Sequence, residues 1–261
     1  MSLWPKEHGA YGQLAFPLVT SLAVAGLSAS ALLLALSAVA AFLAHEPLLV
    51  LRGGRGGRAR LEAGRRAAVW LAVTGGLALL GGAAGLWLMP EGTRWSLLLP
   101  LVPAASFAAA LLRTDAKSAQ GEVAVALSFS LLAVPLGLAA GAPLREALAV
   151  AVAYAAIFVT ATLAVRVVIL KVRGGGSPGA VRATRAAALV LAAAGGAGIT
   201  AAATSLVLPW TTVVAAAPGL IAATVLALGT PSPARLRAVG WTLIGISAAA
   251  ALVLVIGLRS R

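Results

Sequence analysis

Histidine occurs twice in this chain, at His8 and His45, and each stands beside a glutamate, Glu7 and Glu46. An imidazole next to a carboxylate is a basic unit of general acid–base chemistry. The first pair belongs to the run Lys6-Glu7-His8-Gly9-Ala10-Tyr11-Gly12-Gln13, just ahead of a long apolar stretch. An interfacial belt that anchors a membrane helix accounts for Trp4, Lys6 and Tyr11. It accounts less well for His8 and Gln13. The second pair, His45-Glu46-Pro47, lies six residues before Arg52, which at 1.5 Å per residue puts Glu46 about 9 Å deeper along a helix. A carboxylate inside hydrocarbon is costly and implies either a partner or a function. Pro47 disfavours helical geometry at Glu46 and releases carbonyls one turn back. His45, Glu46 and His8 are therefore the candidate proton-transfer groups. An arginine that merely locks Glu46 between helices is the structural alternative.

Anion-binding candidates follow from the same logic. Arg113 opens the segment Arg113-Thr114-Asp115-Ala116-Lys117, which holds the only aspartate and is followed by Glu122. Arg166 lies five residues before Lys171, at a depth like that of Glu46, where it can snorkel, pair with Glu46 or take an anionic ligand. Two glycine-rich stretches, 53–58 and 174–179, resemble phosphate-cradling loops but lack the Walker lysine followed by Ser or Thr. Flexible topogenic loops are the plainer reading. Arg52, Arg55 and Tyr11 complete the set of candidate ligand-binding residues. The two histidines with Glu7, Glu46 and Glu122 offer nitrogen and oxygen donors, yet no local spacing signature marks a metal site, and none is assigned. Cysteine is absent, which removes disulfides, thiolate metal sites and cysteine nucleophiles. No cofactor is named by any motif.

What positions these residues is set by composition. Of 261 residues, 61% are hydrophobic and only 10% charged, against roughly 25% charged in a soluble domain, and the mean hydropathy is +1.01. Too few charges exist to clothe a soluble surface, so lipid is the solvent. The abundance of Ala and Gly suits close helix packing in a bilayer. The net charge of +13 fits loop arginines meeting anionic headgroups; with no basic soluble domain, nucleic acid is not a partner.

Neutral runs count the helices. Residues 9–44 carry no Asp, Glu, Lys, Arg or His and break near Gly26–Ser30 into two spans. Runs 67–90, 95–112, 123–144, 147–165 and 238–258 give one span each, and 186–228 gives two, separated at Leu208-Pro209-Trp210. About nine helices result, in a single all-α polytopic domain over residues 1–261. With the N-terminus cytosolic, sixteen of the 20 basic residues face inward, and Arg94, Arg145, Arg259 and Arg261 face outward. The positive-inside rule thus predicts N-in and C-out in the bacterial cytoplasmic (inner) membrane. The first helix is expected to stay uncleaved, since Glu7, His8 and Gln13 interrupt the approach to its apolar part.

The segment from Trp4 to Gly12, with His45-Glu46-Pro47 and the Arg52–Arg58 stretch, resembles the YwiC-like family of bacterial membrane proteins; Tyr11 stands where that family's start has tryptophan. The resemblance implies a membrane protein and no particular reaction. In layout alone, nine helices with polar loops after even-numbered ones are similar to UbiA-type intramembrane prenyltransferases. That likeness implies two aspartate-rich magnesium motifs, and a single Asp115 cannot supply them.

The sequence therefore predicts a cytosol-facing cavity lined by His8, His45, Glu46, Arg113, Glu122 and Arg166. Its expected ligand is an anionic amphiphile, an isoprenoid or other lipid, held in contact with membrane lipids. A transporter or exporter, or an accessory protein without a ligand, is the alternative; the outer half offers only hydroxyls such as Thr200, Thr204, Ser205, Thr211 and Thr212. The oligomeric state leaves no trace in the sequence.

Overall fold

The structure, a computed structural model, describes residues 2–5, 8–113, 118–172, 177–229, 231–232 and 235–260, with the backbone alone at 8, 110–113 and 172. Ten α-helices follow in order: α1 His8–Ala25, α2 Ala29–Leu51, α3 Gly57–Leu88, α4 Leu98–Arg113, α5 Ala119–Leu131, α6 Ala133–Ala139, α7 Leu144–Val172, α8 Pro178–Thr204, α9 Trp210–Gly229 and α10 Leu236–Arg259. A 3-10 segment, Glu91–Leu97, leads into α4. No strand occurs among the described residues.

Local chemistry sets the helix starts. The Ser28, Ser118 and Ser177 hydroxyls cap α2, α5 and α8 by accepting from Ala31, Gly121 and Ala180 N–H, and Pro178 occupies the first turn of α8, where no N–H is missed. Gly26–Ser28 separates α1 from α2, and 205–209 separates α8 from α9, where the sequence predicts turns. The run 123–144 behaves differently: α5 ends at Leu131 and α6 starts at Ala133. Pro135 has no N–H to offer the Leu131 carbonyl, so the ladder breaks there.

Seven helical stretches among the described residues are long and apolar enough to cross a bilayer: α2, α3, the α5–α6 run, α7, α8, α9 and α10. The apolar part of α1, Gly9–Ala25, and α4 are shorter. The chain is a multi-pass membrane protein.

α7 is the hub. It packs on α1, α5, α6, α8, α9 and α10, and 67% of its apolar window is buried, against 17% for α3. Small residues of α7 (Ala147, Ala149, Ala151, Ala153) let neighbours approach, and Tyr154, Ile157 and Phe158 fill the remaining space. Gly219 of α9 sits directly against Ile157. α3, in contrast, leans chiefly on α2. Gly81, Gly82 and Gly85 bring the two backbones together, and the Ser30 and Ser37 hydroxyls donate to the Gly85 and Ala78 carbonyls at 2.7 and 2.6 Å. In hydrocarbon such small-residue seams and interhelical hydrogen bonds replace the hydrophobic effect as the adhesive.

Three expectations are corrected. The third helix does not wait for the neutral run 67–90: α3 begins at Gly57, so Arg58, Arg60, Arg65 and Arg66 are helical. Arginine is a good helix former, and Arg58 pairs with Glu62 one turn on at 2.7 Å. Likewise α7 reaches Val172 and α8 starts at Pro178, which puts Arg182 and Arg185 on a helix. Finally, α2 runs unbroken through Glu46 and Pro47 to Leu51. The continuous α2–α3 seam carries the helix across a residue whose local preference opposes it.

Candidate functional site at the basic end

The bundle has a basic pole and a nearly neutral one. α2, α4, α7 and α9 end, and α1, α3, α5, α8 and α10 begin, at the pole that carries Arg52, Arg55, Arg58, Arg60, Arg65, Arg66, Arg166, Lys171, Arg182, Arg185, Arg235 and Arg237. The opposite pole has Arg94, Arg145 and Arg259 among the described residues.

At the basic pole a tight turn builds the first half of the site. Arg52 caps α2. Gly53, at φ +80°, donates its N–H to the Val50 carbonyl, and Gly54 donates to Leu49. This 5→2 and 6→1 pair is a Schellman motif, and it needs a residue at ease with positive φ. The chain reverses, and Arg55 folds back over the end of α2. Its Nε and Nη2 donate to the two carboxylate oxygens of Glu46 at 2.8 and 2.5 Å. The Glu46 side chain is 1% exposed and that of Arg55 is 27% exposed. Fork-to-fork pairing answers the problem raised by a buried carboxylate. Arg52 itself faces out.

The second half stands on α5 and α7. Arg166 Nη1 donates to Glu122 Oε1 at 2.9 Å. Pairing of Arg166 with Glu46, one of the expected options, gives way to this contact. Both residues project from helix ends that the α5–α7 packing already brings together. Aromatic contacts link helices at this end: Tyr11 meets Phe42 edge-on at 5.0 Å, Phe42 meets Phe129 at 5.7 Å, and His45 lies 5.9 Å from Phe107. They tie α1, α2, α4 and α5 into one layer.

The N-terminal segment closes over this layer. Tyr11 donates its hydroxyl to the Pro5 carbonyl at 3.0 Å. Leu3 is buried with Val50, Ala63 and Ala67, and Trp4 stacks obliquely on Trp70 at 6.2 Å. Tyr11 is thus held by the strap as well as by the helix that starts beside it.

Of the sequence-predicted residues, the structure brings Glu46 to Arg55 and Glu122 to Arg166, with His45 and Tyr11 beside the first pair. His8 starts α1 and Arg113 ends α4 at the same pole, but their side chains lie outside the described residues, as do Glu7 and Asp115 entirely. No group of three or more His, Asp or Glu side chains gathers among the described residues. An open cavity of about 470 Å³ lies deeper, between α5, α7 and α8, and none of the predicted residues lines it.

Sequence reasoning missed a polar seam between α1 and α7. Gln13 Nε2 donates to Thr162 Oγ1 at 3.0 Å. About two turns deeper the Thr20 and Tyr154 hydroxyls share a hydrogen bond of 2.8 Å, and Tyr154 also reaches the Ser247 carbonyl of α10 at 3.4 Å. A signal for it existed: Tyr154 is one of two tyrosines and stands in the middle of an apolar run.

No curated protein and no solved structure matches the chain. The YwiC-like protein family matches residues 4–136, from the strap and the Glu46–Arg55 turn through most of α6. With half of its length covered, including the whole of the first ion pair and Glu122 of the second, the chain belongs to the YwiC-like family.

Proposed function

We propose that this YwiC-like protein binds, at a cytosol-facing basic pole in the inner membrane, the head of an anionic amphiphile whose apolar part lies along the bundle. The observation that supports it best is the Glu46–Arg55 fork. A guanidinium that is pinned rather than snorkelling presents its positive edge at a fixed height, where an anionic head of a membrane ligand would sit. The Glu122–Arg166 pair fixes a second guanidinium on the neighbouring helices. In this reading α1 and α4 join the seven long crossings to make nine, N-in and C-out.

Both Glu46 oxygens are engaged by Arg55, so Glu46 acts first as the positioner of Arg55. It becomes a proton acceptor only when a ligand anion displaces it from that arginine. His45 and His8, at the same pole, are then the groups to complete an acid–base step.

The test is a titration of the detergent-purified protein with phosphatidylglycerol and with phosphatidylcholine, read by native mass spectrometry. Preference for the anionic lipid by roughly tenfold, lost in Arg55→Gln, is expected from one charge-assisted hydrogen bond. Equal retention of the two lipids by the unaltered protein sinks the reading.

A second reading, transport, is favoured by the Gln13–Thr162 and Thr20–Tyr154–Ser247 seam, because it lines hydroxyl and amide groups along α1 and α7 well into the bundle. Its test is a flux of a fluorescent anionic lipid across proteoliposomes. No movement above protein-free vesicles removes it.

A further inference from the structure

We infer that the groove between α5, α7 and α8 seats the single hydrocarbon chain of the amphiphile, with its anionic head at Arg166 and Arg185. This rests on the reading that the basic pole takes an anionic head, and it names where the tail goes. The groove is lined by Leu127 of α5, by Val152 to Thr160 on one face of α7, and by Leu191, Gly195, Gly198 and Ala202 on α8, with Leu208 at its neutral end. Its volume of about 470 Å³ falls within the ordinary range for ligand sites, roughly 300–1,000 Å³.

The lining is hydrocarbon in character. Its one hydroxyl, on Thr160, is already spent on the Ala156 and Ile157 carbonyls at 2.6 and 3.2 Å. Two glycines keep the α8 wall open: a Cβ added at Gly195 or Gly198 would meet nothing within 4 Å. The stretch of α8 from Leu191 to Ala202 is about 16 Å long at 1.5 Å per residue. That suits an extended hydrocarbon chain.

Basic residues are denser at one end. Arg166 follows Thr160 by six residues on α7, and Arg185 precedes Leu191 by six on α8, so each lies about 9 Å beyond the groove on the basic side. The two helices run antiparallel, which brings both arginines to the same pole. Arg185 adds an independent sign of a missing acceptor. Its Nε is buried and has no hydrogen-bond partner among the described residues, and a buried unsatisfied guanidinium donor is costly. A phosphate or carboxylate head would satisfy it. At the neutral end Arg145 stands beside Leu208, but it donates to the Leu208 carbonyl at 3.5 Å, so that donor already has its acceptor.

The test uses purified full-length protein with palmitoyl lysophosphatidate and palmitoyl lysophosphatidylcholine, which share one chain and differ in head charge. Binding is read by native mass spectrometry and by quenching with a brominated chain. The unaltered protein is expected to hold one lysophosphatidate, roughly tenfold tighter than lysophosphatidylcholine. Gly195→Leu fills the groove and should abolish retention of both; Gly→Leu raises helix propensity, so the variant should fold. Arg185→Gln should keep the chain bound and erase most of the head preference. Undiminished binding in Gly195→Leu overturns the tail seat while leaving the anionic-head reading intact. An unchanged preference in Arg185→Gln overturns the role of Arg185. No preference in the unaltered protein overturns both readings together.

Discussion

Arg55 and Glu46 are nine residues apart in sequence and share a two-point ion pair, because the Schellman turn at Gly53 points the chain back along the helix it has just left. The pair belongs to one helix end and one turn, so it forms as soon as α2 ends and needs no distant element. The Glu122–Arg166 pair is the opposite case: it exists only when α7 docks on α5.

Removing the two members of the first pair should have unequal effects. Arg55→Ala strands a carboxylate that is 1% exposed and should cost about 3 kcal/mol, the range for a buried pair with one partner deleted. Glu46→Gln leaves an amide oxygen for Arg55 and should cost less, roughly 1 kcal/mol. Thermal unfolding of the two variants in the same detergent gives the order. If Glu46→Gln melts lower than Arg55→Ala, the carboxylate is not as desolvated as described.

The α2–α3 seam predicts a contrast between two glycines of one helix. A Cβ at Gly85 would come within 2.8 Å of Leu34 Cγ, so Gly85→Ala should lose about 1–3 kcal/mol to overpacking. Gly75 has nothing within 4 Å, so Gly75→Ala should be neutral or gain up to about 1 kcal/mol. Unfolding midpoints measured side by side decide it, and equal losses at both sites would mean that α3 does not pack as placed.

Tyr154→Phe removes a hydroxyl that joins α1 to α7 and leaves Thr20 short of its partner. A loss of roughly 1–2 kcal/mol is expected, and the paired variant Thr20→Val with Tyr154→Phe should recover part of it. Double-mutant analysis of thermal midpoints measures the coupling. Strict additivity would deny the bond.

The orientation is open to labelling because the chain has no native cysteine. In intact spheroplasts, an impermeant maleimide added outside should modify Thr93→Cys, at the neutral pole, and spare Arg60→Cys until the membrane is permeabilised. The reverse pattern would place the basic pole outside and remove the cytosolic site.

The legible part of this fold was what hydrocarbon imposes. Neutral runs flanked by arginines show where helices lie, and breaks at Gly26–Ser30 and Leu208–Trp210 came from the same rule. Glu46 stood out because lipid makes any carboxylate conspicuous. Its partner did not, since six arginines follow within twenty residues and only the positive φ of Gly53 selects Arg55. The arginines that bound the neutral run 67–90 do not bound the helix, and α3 starts ten residues ahead of that run, at Gly57. Partners across helices, such as Gln13 with Thr162, depend on which helices touch α7, and no spacing along the chain encodes that.

Because α7 is the hub and begins at Leu144, the order of synthesis has a consequence for anyone who dissects this protein. α1, α5 and α6 emerge first, with their inward faces (Leu14, Leu18, Val134, Leu136) lacking the surface they are shaped to meet. Among the early helices, the α2–α3 hairpin has the most extensive packing of its own. A recombinant fragment cut to the family-matching stretch would therefore lack its keystone, and quality-control proteolysis rather than a miniature bundle is its expected fate.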